Sequence, residues 1–329
     1  MKMKTIIKQI VPNKLLCGVI GVALFAIGNA GYAQDTPTPP PAAPAPDAAP
    51  AAAAPAATEK AAKEYAKNTF GGNFLIDNQT VMVPVKNTFE FGIQHRFGTI
   101  NNGYDDFAGL FAPANIRLGF AYTPINNLQL GFGITKVNML WDGNAKYAIC
   151  KQEKIGGCPV SITYFGNFAV STLPKKGNFV NDMDRLSYFH QLIIARKVTN
   201  ALSVQVSPSL SYFNNIAGYM SSDGTIKPLM NNAHYAIAFG GRYKLNDGVA
   251  VIANYDQPLT QHPSNNPHPN VSFGFDLGTT GHSFQIFVGN YQSINQQTNN
   301  VFNQNDYTTS RYCIGFNITR KWYDFFGSK

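Results

Sequence analysis

The chain has few of the residues that mark most catalytic and nucleic-acid-binding classes. It holds four cysteines in 329 residues, and no Cys/His spacing among them resembles a zinc site. No G-x-S-x-G nucleophile motif occurs. Beyond residue 33 no stretch approaches the about 18 consecutive apolar residues of a membrane helix, so any contact with a bilayer must be made by strands. Excess charge is also missing. Four of the 26 basic residues (Lys2, Lys4, Lys8 and Lys14) and none of the 18 acids fall in the first 33 positions, which leaves 22 against 18, or +4. A balance that mild excludes the concentrated basic face that nucleic acid requires.

Those first 33 residues read as a secretory signal peptide. Lysines precede the apolar run "LLCGVIGVALFAI", and small residues around Ala33 suit cleavage. Cys17 lies inside this leader. Residues 34–57 carry eight prolines in 24 positions and almost no large apolar group. They cannot bury a core, and they predict an unstructured, semi-rigid spacer. "TEKAAKEYAK" follows, helix-prone but too short to stand alone. The expected organisation is a signal peptide at 1–33, a Pro/Ala-rich periplasmic spacer at 34–72 and a folded body at 73–329.

In that body the ruling signal is alternation with period two. In "LSVQVSPSLSY" the residues Leu202, Val204, Val206, Pro208, Leu210 and Tyr212 alternate with Ser203, Gln205, Ser207, Ser209 and Ser211. A helix cannot keep that period over eleven residues. About twelve such segments occur, near 87–98, 114–123, 127–138, 144–151, 159–171, 185–197, 201–213, 232–245, 249–256, 269–278, 281–291 and 309–320. Many approach the roughly 9 to 11 residues that a tilted strand needs to cross a bilayer. Short connections ("TPINN", "TN", "NDG", "TT") alternate with long ones, blurred only at "LWDG" and at the cysteine-flanked "KQEKIGG". This predicts an all-β, antiparallel transmembrane barrel of about 12 strands (10–14), short turns periplasmic and long loops outside. Tyr235 and Tyr243 around Ile237 and Phe239 suit interfacial girdles. A secreted soluble β-sandwich with its apolar face inward is the alternative.

Four blocks, "FGIQHRFG" (Phe91–Gly98), "DRLSYFHQLIIARK" (Asp184–Lys197) leading into "LSVQVSPS", "FGGRYKL" (Phe239–Leu245) and "FDLGTTGHSFQIFVGN" (Phe275–Asn290), resemble a Bacteroidota outer-membrane β-barrel family catalogued only as a domain of unknown function. The resemblance runs from about Leu75 to Arg320. It implies location and architecture, and no reaction or cargo.

Two sets of residues bear on chemistry. In "FDLGTTGHSFQIF" an acid, a histidine and a serine fall close together, but a two-residue turn at Thr279–Thr280 sets Phe275 against Phe284, Phe273 against Ile286, and Asp276 against Ser283. His282 then lies on the opposite face from the serine, and a triad cannot assemble. No other catalytic constellation, metal set or cofactor motif appears. The second set is the polar parity, where Glu90, Arg96, Arg117, His234, Arg242, Asp276 and Arg311 are candidates for lining the lumen. Free arginines would bias a narrow passage toward anions; arginines paired with Glu90 or Asp276 would instead fill and brace a closed bore. Cys150 and Cys158 either close a short loop or stay as thiols, and Cys313 has no evident partner. The polar stretch Asn290–Asp306 reads as a solvated loop. The expected partners are outer-membrane lipid, the outer-membrane assembly machinery, a small solute and a periplasmic protein reached through the spacer. A passage or binding site for a small solute leads the functional readings, then a scaffold barrel, then an embedded hydrolase.

Overall fold

The computed structural model describes residues 64–279, 281–309 and 311–327. The leader and residues 34–63 of the spacer lie outside these. Sixteen strands and one α-helix occur among them. Two short strands, β1 (Phe74–Leu75) and β2 (Asn78–Gln79), form a small hairpin. The twelve long strands begin with β3 (Phe89–Thr99), β4 (Asn115–Ile125), β5 (Leu128–Thr135), β6 (Leu140–Cys150), β7 (Ser161–Ser171), β8 (Leu186–Lys197) and β9 (Leu202–Phe213). After a loop hairpin of β10 (Gly218–Met220) and β11 (Ile226–Pro228) they continue as β12 (Ala233–Lys244), β13 (Val249–Pro258), β14 (Asn270–Gly278), β15 (His282–Gly289) and β16 (Cys313–Trp322). Each long strand pairs antiparallel with its neighbours, and β16 closes on β3, so the sheet is a closed twelve-strand barrel without edges.

The alternation resolves into an inside-out protein. Along β9 the serines and Gln205 are buried, whereas Pro208 and Tyr212 on the other face are exposed. The same holds at β14 and β15, where Asp276 and Gln285 are buried and Phe273, Phe275, Ile286 and Val288 are exposed. A soluble sandwich would show the reverse. Tyr235 and Tyr243 are exposed near the two ends of β12.

One end of the barrel carries the tight connections, such as Asn126–Asn127, where Asn127 takes φ 74° in a conformation asparagine tolerates. The other carries the long loops. At the tight end Phe89 stacks on Phe325 at 4.7 Å and contacts Trp322 at 5.7 Å, an aromatic belt around the last strand.

Local details differ from the alternation-based expectation. "LWDG" (Leu140–Gly143) belongs to β6, because a 3-10 turn at Val137–Met139 makes the connection before it. The last strand runs Cys313–Trp322 rather than 309–320. The β14–β15 hairpin is displaced by two residues from the register expected of a two-residue turn: Phe275 faces Ile286, Phe273 faces Val288 and Asp276 faces Gln285. Its last pair is Gly278 with Ser283, which leaves a wider turn held by the Thr279 N–H donating to the His282 carbonyl. A shift of two keeps every residue on its face. His282 accordingly points outward, exposed, while the Ser283 hydroxyl donates to Asp276 Oδ1 at 3.0 Å.

The outward face gives a direct test. Ile286→Arg, at the middle of β15, should cost about 2–4 kcal/mol in reversible denaturant unfolding from lipid vesicles, and Ile286→Leu should be close to neutral. A cost below about 1 kcal/mol for arginine would place this face away from lipid.

Candidate functional site

The interior of the barrel is filled, not open. The chain from Thr69 to Met82, bearing the β1–β2 hairpin, crosses the bore, so residues 69–72, which composition groups with the spacer, are inside the barrel: Thr69 and Phe70 are buried. Nine of the twelve wall strands hold the segment by side chains. Gln285 accepts from the Ile76 N–H and donates to the Phe74 carbonyl, and Asn317 donates to the Ile76 carbonyl at 2.7 Å. Asn78 donates to Asp256 and accepts from Gln191, and Gln205 donates to the Gln79 carbonyl. Thr163 donates to the Val81 carbonyl, Lys146 to the Asn73 carbonyl, and Asn73 itself donates to Glu90 and Gln129. The apolar tip, Leu75 and Ile76, packs with Phe189, Ile193, Ile252 and Phe287 of the wall. Gly240 makes room for it, since a Cβ there would overlap the Leu75 side chain.

A second segment enters from the long-loop end. The stretch read as a solvated loop, Asn290–Asp306, instead tucks inward and forms α1 (Gln296–Phe302), with Gln296, Gln297, Asn299, Asn300 and Val301 buried. Its amides find partners inside the barrel: Gln297 donates to Asn167 at 2.9 Å, and Asn270 exchanges hydrogen bonds with Asn300 and Asn303. The two segments meet at Asp77. Gln296 donates to its carbonyl at 2.9 Å and Asn299 to its Oδ2 at 2.8 Å.

The candidate lumen residues fall into pairs. Arg117 grips Asp142 through two hydrogen bonds of 2.8 and 2.7 Å and donates a third to Gln94. This lies across β5, and glycine makes it fit: a Cβ at Gly119 would stand 2.6 Å from the guanidinium, and one at Gly133 would overlap it. Arg242 pairs with Asp276 at 3.1 Å, and Arg96 lies 3.8 Å from Asp77 while donating to Asn317 and covering the Phe287 ring. Glu90 has Lys321 at 4.0 Å. The three lumen arginines therefore each face an acid, and the arrangement braces the bore. Arg311 is not among them. It is exposed two residues before β16, so the inward parity does not extend to it. Sequence reasoning also missed Asp77, Asp142 and Lys146. Asp142 was hidden because "LWDG" read as a connection.

His234 is fully buried at the long-loop end of β12, stacked on His262 of the 259–269 connection. Hydrogen bonding assigns the tautomers. The Asn231 N–H donates to His262 Nδ1 at 3.0 Å, so the His262 proton sits on Nε2 and is donated to His234 Nδ1 at 2.9 Å. Burial holds the His262 imidazole below the usual histidine range. At the tight end Cys150 and Cys158 form a disulfide, Cα to Cα 6.6 Å, and Cys313 is free and buried. Among the described residues no group of three metal-ligating side chains occurs.

Between the hairpin, α1 and the wall lies a polar cavity of about 50 Å³, lined by Asn73, Asp77, Arg117, Gln129, Asp142 and Gln297 among others. It has room for about three to five waters.

The model of a family described as a membrane bound beta barrel domain (DUF5777) matches residues 70–322. No curated protein matches the chain. Among solved structures the chain is similar to the NanC porin, with 11% identity, a TM-score of 0.43 and coverage of 71% of this chain and 98% of that one. It is similar to the KdgM porin at 10% identity, a TM-score of 0.40 and coverage of 72% and 99%. An outer membrane channel from Pseudomonas putida is a further likeness, at 11% identity and a TM-score of 0.42, covering 73% and 97%.

Two outcomes follow from this geometry. Arg117→Leu strands the buried Asp142 carboxylate and should cost about 3–5 kcal/mol in unfolding measurements, whereas the double change Arg117→Leu with Asp142→Leu should recover most of that loss. For the histidines the sign is set by the lowered pKa: the folded state favours neutral His262, so its contribution is complete above about pH 6.5 and is lost as pH falls through the lowered folded value. Amide hydrogen exchange, corrected for intrinsic rates, should show the 259–269 connection less protected at about pH 5 than at neutral pH. In His262→Phe it should be weakly protected at both.

Proposed function

The chain belongs to the membrane-bound β-barrel domain family, and from its lumen we infer a closed outer-membrane barrel that passes a small polar solute when the Thr69–Met82 segment withdraws. The observation that carries this reading is the chemistry of the seal. The hairpin is held mainly by single side-chain hydrogen bonds from the wall, each contributing about 0.5–1.5 kcal/mol net, and water replaces them when the segment leaves. Its apolar contact is limited to Phe70, Leu75, Ile76 and Val81, with Met82 packed against them. A seal of this composition is reversible, and the bore it vacates is polar.

The direction of withdrawal is toward the tight end. There Tyr65 bridges to Glu153, and Lys197 donates to the Lys67 carbonyl. The leader and the short turns support a periplasmic position for that end. The spacer then offers a periplasmic partner something to pull, the exposed apolar band meets outer-membrane lipid, and the aromatic last strand serves the assembly machinery. A scaffold barrel is the second reading, favoured by the junction at Asp77, where both inner segments brace one another.

Planar-bilayer recording separates the two. The full chain should hold a closed baseline, and deletion of residues 64–82 should produce stepwise current that persists at high salt. A correctly folded deletion variant without current would leave the scaffold reading; a full chain that is steadily open would contradict the seal.

A further inference from the structure

We propose that the cavity between the β1–β2 hairpin, α1 and the wall is a binding site for a small neutral polyol. The inference deepens the solute reading above and rests on it for the site's purpose, not for its existence in the closed barrel.

Two buried polar atoms of the lining residues, Asn73 Oδ1 and Gln129 Nε2, have no hydrogen-bond partner, and a third, Asp77 Oδ1, makes no hydrogen bond and has only the Arg96 guanidinium at 3.8 Å. Asn73 and Asp77 are 2% exposed and Gln129 is 4% exposed, so bulk water does not serve them. A buried amide or carboxylate oxygen left unpaired is costly, and the set asks for an occupant that both donates and accepts. Hydroxyl groups do both. Water does as well, and a polyol replaces several waters at once.

The charges define the class further. Each acid of the lining already has its cation: Asp142 holds Arg117, Asp77 has Arg96 at 3.8 Å, and Glu90 has Lys321 at 4.0 Å. An anion would enter beside three carboxylates with the one lining arginine spent on Asp142, and like charges at that range repel. An ammonium would need a carboxylate without a partner, which the lining lacks. Phe165, 2% exposed, and Phe74 supply apolar surface for the C–H face of a sugar alcohol. The volume of about 50 Å³ limits the occupant to roughly the bulk of three to five waters, the size of a three- or four-carbon chain.

The test uses the folded full chain in deuterated detergent micelles, with saturation-transfer NMR on erythritol and on erythronate, its carboxylate counterpart. Erythritol should receive transfer and erythronate little. Gln129→Glu keeps the oxygen that accepts from Asn73 and removes the unpaired N–H, so it should weaken erythritol by about fivefold, the effect of one lost hydrogen bond. Gln129→Leu should do the same, with heat-modifiable gel migration verifying that both variants fold. Erythronate binding as well as erythritol, no transfer to either, or an unchanged Gln129→Glu would each overturn the site. Because binding is read in the closed barrel, such a result leaves the gating current untouched, and a missing current leaves the binding result standing.

Discussion

Everything inside this molecule follows from one constraint: a closed strand barrel in a bilayer turns its apolar face outward, so its polar face must be satisfied by the chain itself. Soluble proteins bury carbon and leave polar atoms to water. Here Ser207, Ser211, Gln191, Gln205, Asp256 and Arg96 are the buried groups, and Phe273, Ile286 and Val288 the exposed ones. A twelve-strand bore is too wide for wall side chains alone to meet across it. The hairpin and α1 bring backbone carbonyls and amide side chains into the middle, where wall glutamines and asparagines reach them.

Asp77 shows how tightly that solution is joined. One residue offers its carbonyl to Gln296, one carboxylate oxygen to Asn299 and the other toward Arg96. The segment from the tight end and the segment from the long-loop end are therefore coupled through a single residue. Moving the hairpin removes the Asp77 partners of Gln296 and Asn299 on α1, and lifting α1 leaves a buried carboxylate with one distant cation. Unpaired buried charge is expensive. The two closures favour each other, and in the gated barrel proposed above that coupling would make opening two-state rather than gradual.

How much of this was legible in the sequence depends on range. Period-two alternation is local and strong, so the twelve strands, the barrel and the inward parity of Glu90, Arg96, Arg117, His234, Arg242 and Asp276 could be read directly. The pairing of Arg117 with Asp142 spans two strands and needs the register. Two-residue strands such as Phe74–Leu75 carry no periodicity, and an Asn/Gln-rich stretch has the composition of a solvated loop even when it is buried. One signal was available. In "YFHQLIIA" large apolar residues fall on both parities, with Phe189 and Ile193 facing inward. An inward apolar pair in an otherwise polar lumen requires an apolar partner, and "NFLID" after the spacer is the segment that meets it.

In the gated barrel proposed above, the tight end sets the direction in which the hairpin would travel. Residues 64–66 run as an extra edge along the connection between β6 and β7: Tyr65 bridges Glu153, Ala66 donates to the Gln152 carbonyl, and Lys154 donates to that of Glu64. The Cys150–Cys158 disulfide closes that connection and limits its freedom, so the edge it presents is fixed, while Gln152 ties it to Lys197 of β8. The ion pair between Lys154 and Glu64 is half exposed, and solvent screens such pairs so that they add little. The grip is thus specific in position and weak in energy. A barrel meant only to stand in a membrane gains little from a weak, ordered grip on the strand that leads into its seal; a barrel whose seal must leave and return by the same path needs both properties.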